Sequence, residues 1–423
     1  MTAPAATAES SSSDAGLVFR PLDPEQLVDP YPFYTRARDE QPVFYSADFD
    51  SWIVTRYDDI VRVTQDAKRY SSANSIAGGA LPPDIQAILA QGYDRVPNLI
   101  DTDPPEHTRM HTVIRKAFTP QRIAVLEPQI RAIATGLIDS FAQDGKADLM
   151  ERFAFPLPGL VMCDLLGVPR EDLPQIKRWS DDWMATISLT DTHERLLEAA
   201  HGFVAFQTYI AAQLEDRSRA PREDLLSVLV PESLGGSAPI SLEEAIAMSI
   251  AVLGAGHETT THLILNMMLA LIRHPDQLRL LRERPELIPN VVEETLRYES
   301  PSRCIFRTTA AEVELGGVTL PPGTRLILIW PSGNRDERRF PEPDHFDITR
   351  RDAAQHLGFG RGVHFCIGAA LARLEGRITL ELLLDRLPNP RLQPGAKLEF
   401  WPNLFMRGYR QLPLEWDVAH EEI

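Results

Sequence analysis

Cysteine is scarce in this chain: three in 423 residues, Cys163, Cys304 and Cys366, an odd number at wide spacing. So sparse a set does not resemble a disulfide framework, and any cysteine with a special role would act as a thiolate or a ligand. Long apolar runs are also missing. No stretch approaches the roughly 18 consecutive apolar residues of a membrane span, and the opening MTAPAATAESSSSDAG has neither the basic nor the apolar part of a signal peptide. Positive charge is in deficit, with 43 Lys and Arg against 60 Asp and Glu, a net −17 that opposes non-specific attachment to nucleic acid or an anionic membrane. The expected location is therefore cytoplasmic, with no nucleic acid and no membrane among the partners, and a monomer is the expected state.

What the chain does contain is an ordinary globular balance, 43% apolar and 24% charged. The first 15 residues are Ala/Ser/Thr-rich and aperiodic and read as a disordered tail; residues 16–423 read as a single domain, since no long linker or internal repeat divides them. PVFYS and SWIVTRY carry the β-branched and aromatic residues of short strands, and VELGGVTLPPGTRLILIW has the alternation and Gly-Gly turn of a hairpin. Between Pro105 and Arg297 apolar residues recur at three and four, the helical period. The fold class is thus mainly α with small β-sheets (α+β).

The longest helix is predicted from Ser241, where Ser241 and Glu244 form a capping box, to His274-Pro275. That is roughly 50 Å at 1.5 Å per residue, enough to cross the molecule. Its middle reads AGHETTTH, where Gly256 costs about 1 kcal/mol relative to alanine. His257, Glu258 and three threonines interrupt an otherwise apolar face there. Helix stability does not explain them.

The stretch FGRGVHFCIG places Cys366 among glycines, just before the strongly helical IGAALARLEGRITLELLLDRL. A sulfur at a helix N-terminus meets free N–H groups and a positive dipole end, which favour thiolate. Glycines allow backbone to approach a bulky planar group. Taken alone, the stretch also suits a cysteine buried in a Gly-rich turn; a phosphate loop is a poorer candidate because no Gly-Lys-Ser/Thr follows.

Phe359, Gly362, His364, Cys366 and Gly368 resemble the haem-binding signature of the cytochrome P-450 superfamily. Three further motifs stand in the family's order. Asp103-Pro104-Pro105-Glu106-His107 resembles the start of its haem-propionate helix, Ala255 to Thr260 its oxygen-activating helix, and Glu294-Thr295-Leu296-Arg297 its Glu-x-x-Arg helix. The resemblance implies a soluble bacterial-type haem-thiolate monooxygenase, with haem b (iron protoporphyrin IX) between the long central helix and the Cys-bearing loop.

Carried over residue by residue, the resemblance implies Cys366 as the axial ligand of the haem iron, Phe359 packed over the thiolate, and Gly360 and Gly368 against the cofactor. His107, Arg307 and His364 match propionate-holding positions. Where the family usually has arginine this chain has His111, so either His111 takes that role or Arg109 reaches round. Ala255 and Gly256 would form the notch that admits O2, and Glu258 and Thr259 would relay protons into it. For Thr259 the plain alternative is a back-bond to the Ala255 carbonyl. Glu294 and Arg297 would be a structural ion pair.

The family's pocket walls correspond to Ser75–Asn98, Trp183–Leu189, Ile250–Leu253 and Pro301–Phe306, making Leu253, Arg303 and Ile305 substrate-pocket candidates. Arg303 would either anchor an acidic substrate, such as an aromatic or terpenoid acid, or point to solvent or a propionate. Electrons are expected from a small acidic ferredoxin with its NAD(P)H-dependent reductase. The acid-free run His107 to Arg122, with Arg109, Arg115, Lys116 and Arg122, is the expected docking patch. The expected reaction is hydroxylation or O-dealkylation of a small to medium organic molecule. The alternatives are a haem-thiolate peroxygenase or sensor and, more remotely, a metal hydrolase built on His107, His111, His257 and Glu258, which lacks a His-Glu-x-x-His glutamate because residue 108 is threonine.

Overall fold

Alternating β-branched and polar residues produce the strands where the sequence pattern places them. In the computed structural model these are β1 (Val43–Ser46), β2 (Ser51–Val54), β3 (Tyr70–Ser71), β4 (Lys146–Asp148), β5 (Cys304–Thr309), β6 (Val313–Leu315), β7 (Val318–Leu320), β8 (Arg325–Ile329), β9 (Arg391–Leu392) and β10 (Pro413–Glu415). The structure describes residues 16–76, 81–187, 191–230 and 240–418. The expected tail, 1–15, and two parts of the expected pocket walls, 77–80 and 188–189, lie outside the described residues.

The main sheet runs β1-β2-β8-β5-β3. Only the β2–β8 pair in it is parallel, with Ile53 opposite Ile327, and both of those side chains are fully buried. β6 and β7 form the hairpin across Gly316-Gly317, whose φ angles of 56° and 83° are left-handed. A smaller sheet has β10 between β4 and β9.

The long helix spans Leu242–Arg273, 32 residues, or about 48 Å at 1.5 Å per residue. Its N-terminus is closed reciprocally: Glu244 N donates to Ser241 Oγ at 3.1 Å and Ser241 N to Glu244 Oε2 at 3.0 Å. Proline at 275 ends it. Helices Pro156–Leu166, His193–Arg219, Ile288–Tyr298 and Ala369–Arg386 all pack on it, and most of its side chains enter the large helical core. Gly256 serves this packing. A Cβ there would lie 2.4 Å from Met162 Sδ, so the missing side chain lets helix Pro156–Leu166 close on the long one. No described helix is long and apolar enough to cross a membrane.

Glu294 and Arg297 lie one turn apart on Ile288–Tyr298, both fully buried, joined by two hydrogen bonds of 2.7 Å. Arg297 also donates to the carbonyls of Asn334, Pro343 and His345, and Glu294 accepts from Asp347 N and Arg350 Nε. The pair therefore fastens this helix to the loop that follows β8, with every charge hydrogen-bonded.

Candidate active site

A cavity of about 320 Å³ opens between the long helix and the cysteine loop. The long helix contributes Ala251, Val252, Ala255 and Thr259; the loop contributes Phe359, Gly360, His364, Cys366 and Gly368; His107 and His111 close one side, and Ile305 and Arg307 come from β5. The loop is shaped by two left-handed glycines, Gly360 at φ 67° and Gly362 at φ 71°. A Cβ on Gly362 would lie 2.1 Å from the Thr64 carbonyl, so no other residue fits.

Cys366 N donates to Phe359 O at 2.9 Å, which sets the sulfur just ahead of helix Ala369–Arg386. Its accessible surface opens into the cavity. Burial raises its thiol pKa, while the N–H groups of Gly368 and Ala369 and the charge of Arg373 oppose that rise.

Around the cavity rim stands a group of cation-forming side chains. His107 stacks on His111 with centroids 5.5 Å apart and lies 4.2 Å from the His364 ring. Arg307 is buried, donates to the Phe306 carbonyl at 2.7 Å, and makes no ion pair with a carboxylate among the described residues. Burial pushes Arg307 down to about 10 and, with Arg307 and His107 nearby, pushes His364 down to about 3. His107 and His111 are lowered as well, burial first and the neighbouring charges second. His364 Nε2 is buried without a partner. Such a cluster favours an anion in the cavity, since an anion would restore every one of these protonation equilibria.

On the long helix, Thr259 Oγ1 donates to Ala255 O at 2.7 Å, the back-bond expected of a helical threonine. Glu258, its neighbour, turns the other way. It lines a second, more polar cavity of about 260 Å³ with Lys177, Asp181, His257 and His262. Lys177 Nζ lies 3.4 Å from Glu258 Oε1 and also holds Asp181. His257 is fully buried with both ring nitrogens unpartnered, and burial pushes it down to about 3. The long helix is thus the wall between two cavities, with consecutive residues facing each.

Comparison with known proteins decides the family. The cytochrome P450 family model matches residues 162–395. Cytochrome P450 monooxygenase PikC of Streptomyces venezuelae is 38% identical over 410 residues, 95% of this chain and 94% of the relative. Vitamin D(3) 25-hydroxylase of Pseudonocardia autotrophica is 39% identical, covering 91% and 93%. A solved structure of cytochrome P450 CREJ in complex with (4-ethylphenyl) dihydrogen phosphate superposes with a TM-score of 0.88 at 32% identity, covering 92% and 97%.

The chain belongs to the cytochrome P450 family. Its cofactor is haem b, and it is a P450 oxidoreductase of the bacterial monooxygenase type. The cavity fits that group: a cysteine sulfur on one wall, a small-residue notch on another, and a rim of one buried arginine and three histidines, a set of N–H donors suited to two propionates.

Against the family expectation for each residue, the P450 structure sorts the candidates. Of the two alternatives at the departed position, His111 lines the cavity, whereas Arg109 donates to Glu244 at 3.0 and 2.5 Å, beside the long helix's N-terminus. Ile305 lines the cavity, but Leu253 and Arg303 do not. Leu253 is buried in the helical core. The Arg303 guanidinium donates to Asn403 O at 3.1 Å and Pro21 O at 3.0 Å and is 1% exposed, so it serves neither substrate, solvent nor propionate. The anchoring of an acidic substrate by Arg303 is overturned by these bonds. Trp183 and Asn98 face a separate cavity, and the wall is carried instead by Leu99 and Ile100. His107 and His111 face a different cavity from His257 and Glu258, and no group of three metal-binding side chains occurs among the described residues, which removes the hydrolase reading.

Sequence reasoning missed Met248, Thr260 and Glu375 in the cavity wall. Glu375 is 1% exposed with both carboxylate oxygens unpartnered, and burial pushes it up to about 8. Nothing in LARLEGRITLEL marks that glutamate as different from a solvated one.

Proposed function

We propose that residues 16–423 form one haem-thiolate monooxygenase domain that takes O2 and two electrons from a separate small acidic ferredoxin and its reductase, and hydroxylates or O-dealkylates an uncharged, largely apolar small to medium organic substrate. The observation that carries this reading is the single cavity shared by Cys366 and the Ala255–Thr259 notch. Bound haem would supply oxygen activation; Cys366 would ligate its iron as thiolate, and His107, His111, Arg307 and His364 would hold its propionates. Phe359, only 8% exposed, keeps water from the sulfur.

The described walls include the apolar Leu99, Ile100, Val252, Pro301 and Ile305, with Thr260 and Ser302 among the fewer polar residues. An apolar lining with few polar groups selects uncharged ligands, because a carboxylate there would be desolvated without a partner. Thr259 presents its hydroxyl at the notch and Glu258 takes protons from the second cavity, so the two pass protons through the helix wall. Electron delivery is supported by exposed Arg115, Lys116 and Arg122 and by Val363 and Phe365, 44% and 43% exposed on the cysteine loop. Cations around an apolar centre complement an acidic partner.

The test is spectral and kinetic. The carbon monoxide complex of the reduced protein shows the red-shifted thiolate band, which Cys366→Ser abolishes. Neutral apolar molecules convert the ferric protein from low to high spin, and NADH oxidation requires substrate, ferredoxin and reductase together. Turnover with hydrogen peroxide and none with ferredoxin would favour the peroxygenase instead.

A further inference from the structure

Beside the cysteine loop a chain of contacts runs to Phe359, whose carbonyl accepts from Cys366 N at 2.9 Å. Arg373 lies on helix Ala369–Arg386, seven residues after Cys366. Its Cζ stands 4.7 Å from the centroid of the Phe359 ring. Glu293, from the neighbouring helix Ile288–Tyr298, grips the guanidinium with two hydrogen bonds, 2.6 Å to Nε and 2.9 Å to Nη2. Glu293 is 13% exposed and Arg373 38%. His356 completes the cluster: its Nε2 is 3.3 Å from Glu293 Oε2, its Nδ1 accepts from Gly358 N at 3.0 Å, and its ring lies 5.4 Å from that of Phe359.

A cation on an aromatic face is attracted by the ring's negative quadrupole, and a bidentate carboxylate fixes the guanidinium plane. The result is an oriented ion pair with its positive end against Phe359, the residue whose carbonyl holds Cys366 N. We propose that Arg373, held by Glu293, is a positioning residue that sets the electron richness of the Cys366 sulfur through the Phe359 ring and so tunes the ease of reducing the haem iron. The inference rests on Cys366 being the iron ligand.

Support comes from both ends of the contact. Two hydrogen bonds from Glu293 hold the guanidinium 4.7 Å from the Phe359 ring centroid, and Cys366 N donates to the Phe359 carbonyl at 2.9 Å. Glu293 is held down to about 2 by Arg373 and His356 against its burial, so it remains a carboxylate at every working pH. Positive charge near a thiolate stabilises its electrons and weakens their donation to iron, which favours the ferrous state. Negative charge does the reverse.

The two partners therefore have opposite effects, which a purely structural clamp would not show. Equilibrium redox titration of the haem-loaded full chain, with dithionite as reductant and mediator dyes, is the test. Arg373→Gln leaves the Glu293 charge uncompensated and lowers the ferrous/ferric ratio at fixed potential by about three- to tenfold, tenfold being about 59 mV for a one-electron couple. Glu293→Gln frees the Arg373 charge and raises the ratio by a similar factor. Arg373→Lys keeps the charge and stays near the parent value. The carbon monoxide band of each variant reports separately on thiolate ligation. A parent protein without that band would overturn the ligand assignment. Variants that keep the band but shift in the same direction, or not at all, would overturn the tuning role. If Arg373→Gln fails to hold haem, Glu293→Gln and Arg373→Lys carry the test by themselves: a rise in the first and constancy in the second are required.

Discussion

Lys177 Nζ stands 3.4 Å from Glu258 Oε1 while holding Asp181 one turn along its own helix, so the acid next to Thr259 is tied to a partner in the second cavity. Glu258 and Thr259 are adjacent in sequence yet face different cavities. On the proposed relay, a proton passing from Glu258 to Thr259 crosses the helix wall, and Lys177 is the cation that meets Glu258 on the outer side.

Glu258→Gln is expected to reduce the turnover number by about 10²-fold, the usual scale for a lost general acid. Spin-state titrations with substrate should remain unchanged, since Glu258 is outside the substrate cavity. Thr259→Ala should keep NADH oxidation but lower product formed per NADH. Lys177→Met, measured by product formation between pH 6 and 9, should alter the turnover number without altering substrate affinity.

Haem retention separates the rim residues from their neighbour. Removing one charge-assisted hydrogen bond costs about 1.5–3 kcal/mol, so Arg307→Gln and His364→Gln should each lose haem to a scavenger protein tenfold faster or more. Arg109→Gln should leave the loss rate unchanged. It should instead lower stability to urea by about 1–2 kcal/mol, because Glu244 loses its bidentate partner beside the Ser241 cap.

Arg303→Ala is a stability mutation. It strips donors from the carbonyls of Asn403 and Pro21 and should destabilise the protein by roughly 2–4 kcal/mol in urea unfolding. Affinities for acidic and neutral ligand analogues should change by the same factor. A selective loss for acids would return Arg303 to the substrate.

Glu375 makes stability depend on pH. Its carboxyl, ordinarily near 4.5, is raised to about 8 by burial. Between those values the folded state holds a proton that the unfolded state has released, so stability falls as pH rises from about 4.5 to about 8, at up to about 1.4 kcal/mol per pH unit. Urea unfolding of Glu375→Gln over this range should show a shallower fall than the parent.

Much of the architecture is legible in the chain because it is set by neighbours in sequence. The capping box at Ser241 and Glu244, the stop at Pro275, the Gly316-Gly317 hairpin and the left-handed glycines before Cys366 are local choices of backbone conformation. The same holds for Cys366 ahead of a helix N-terminus. These features need no long-range packing to specify them, and the motif spacing was enough to mark the cofactor.

Side-chain direction was another matter. Arg303 sits two residues from Ile305, yet it turns to carbonyls 100 and 282 residues away in sequence. Arg109 reaches Glu244, and Glu375 lies unpartnered in the cavity wall. Local periodicity ranks such residues by polarity and places them on a face. It carries no information about which distant carbonyl, carboxylate or cavity meets them there. Sequence alone thus determined the family, the long central helix and the cysteine loop set just ahead of a helix N-terminus. Tertiary packing decided which charges face the cavity and which are bound elsewhere, because a buried charge goes where partners, supplied by other segments, can satisfy it.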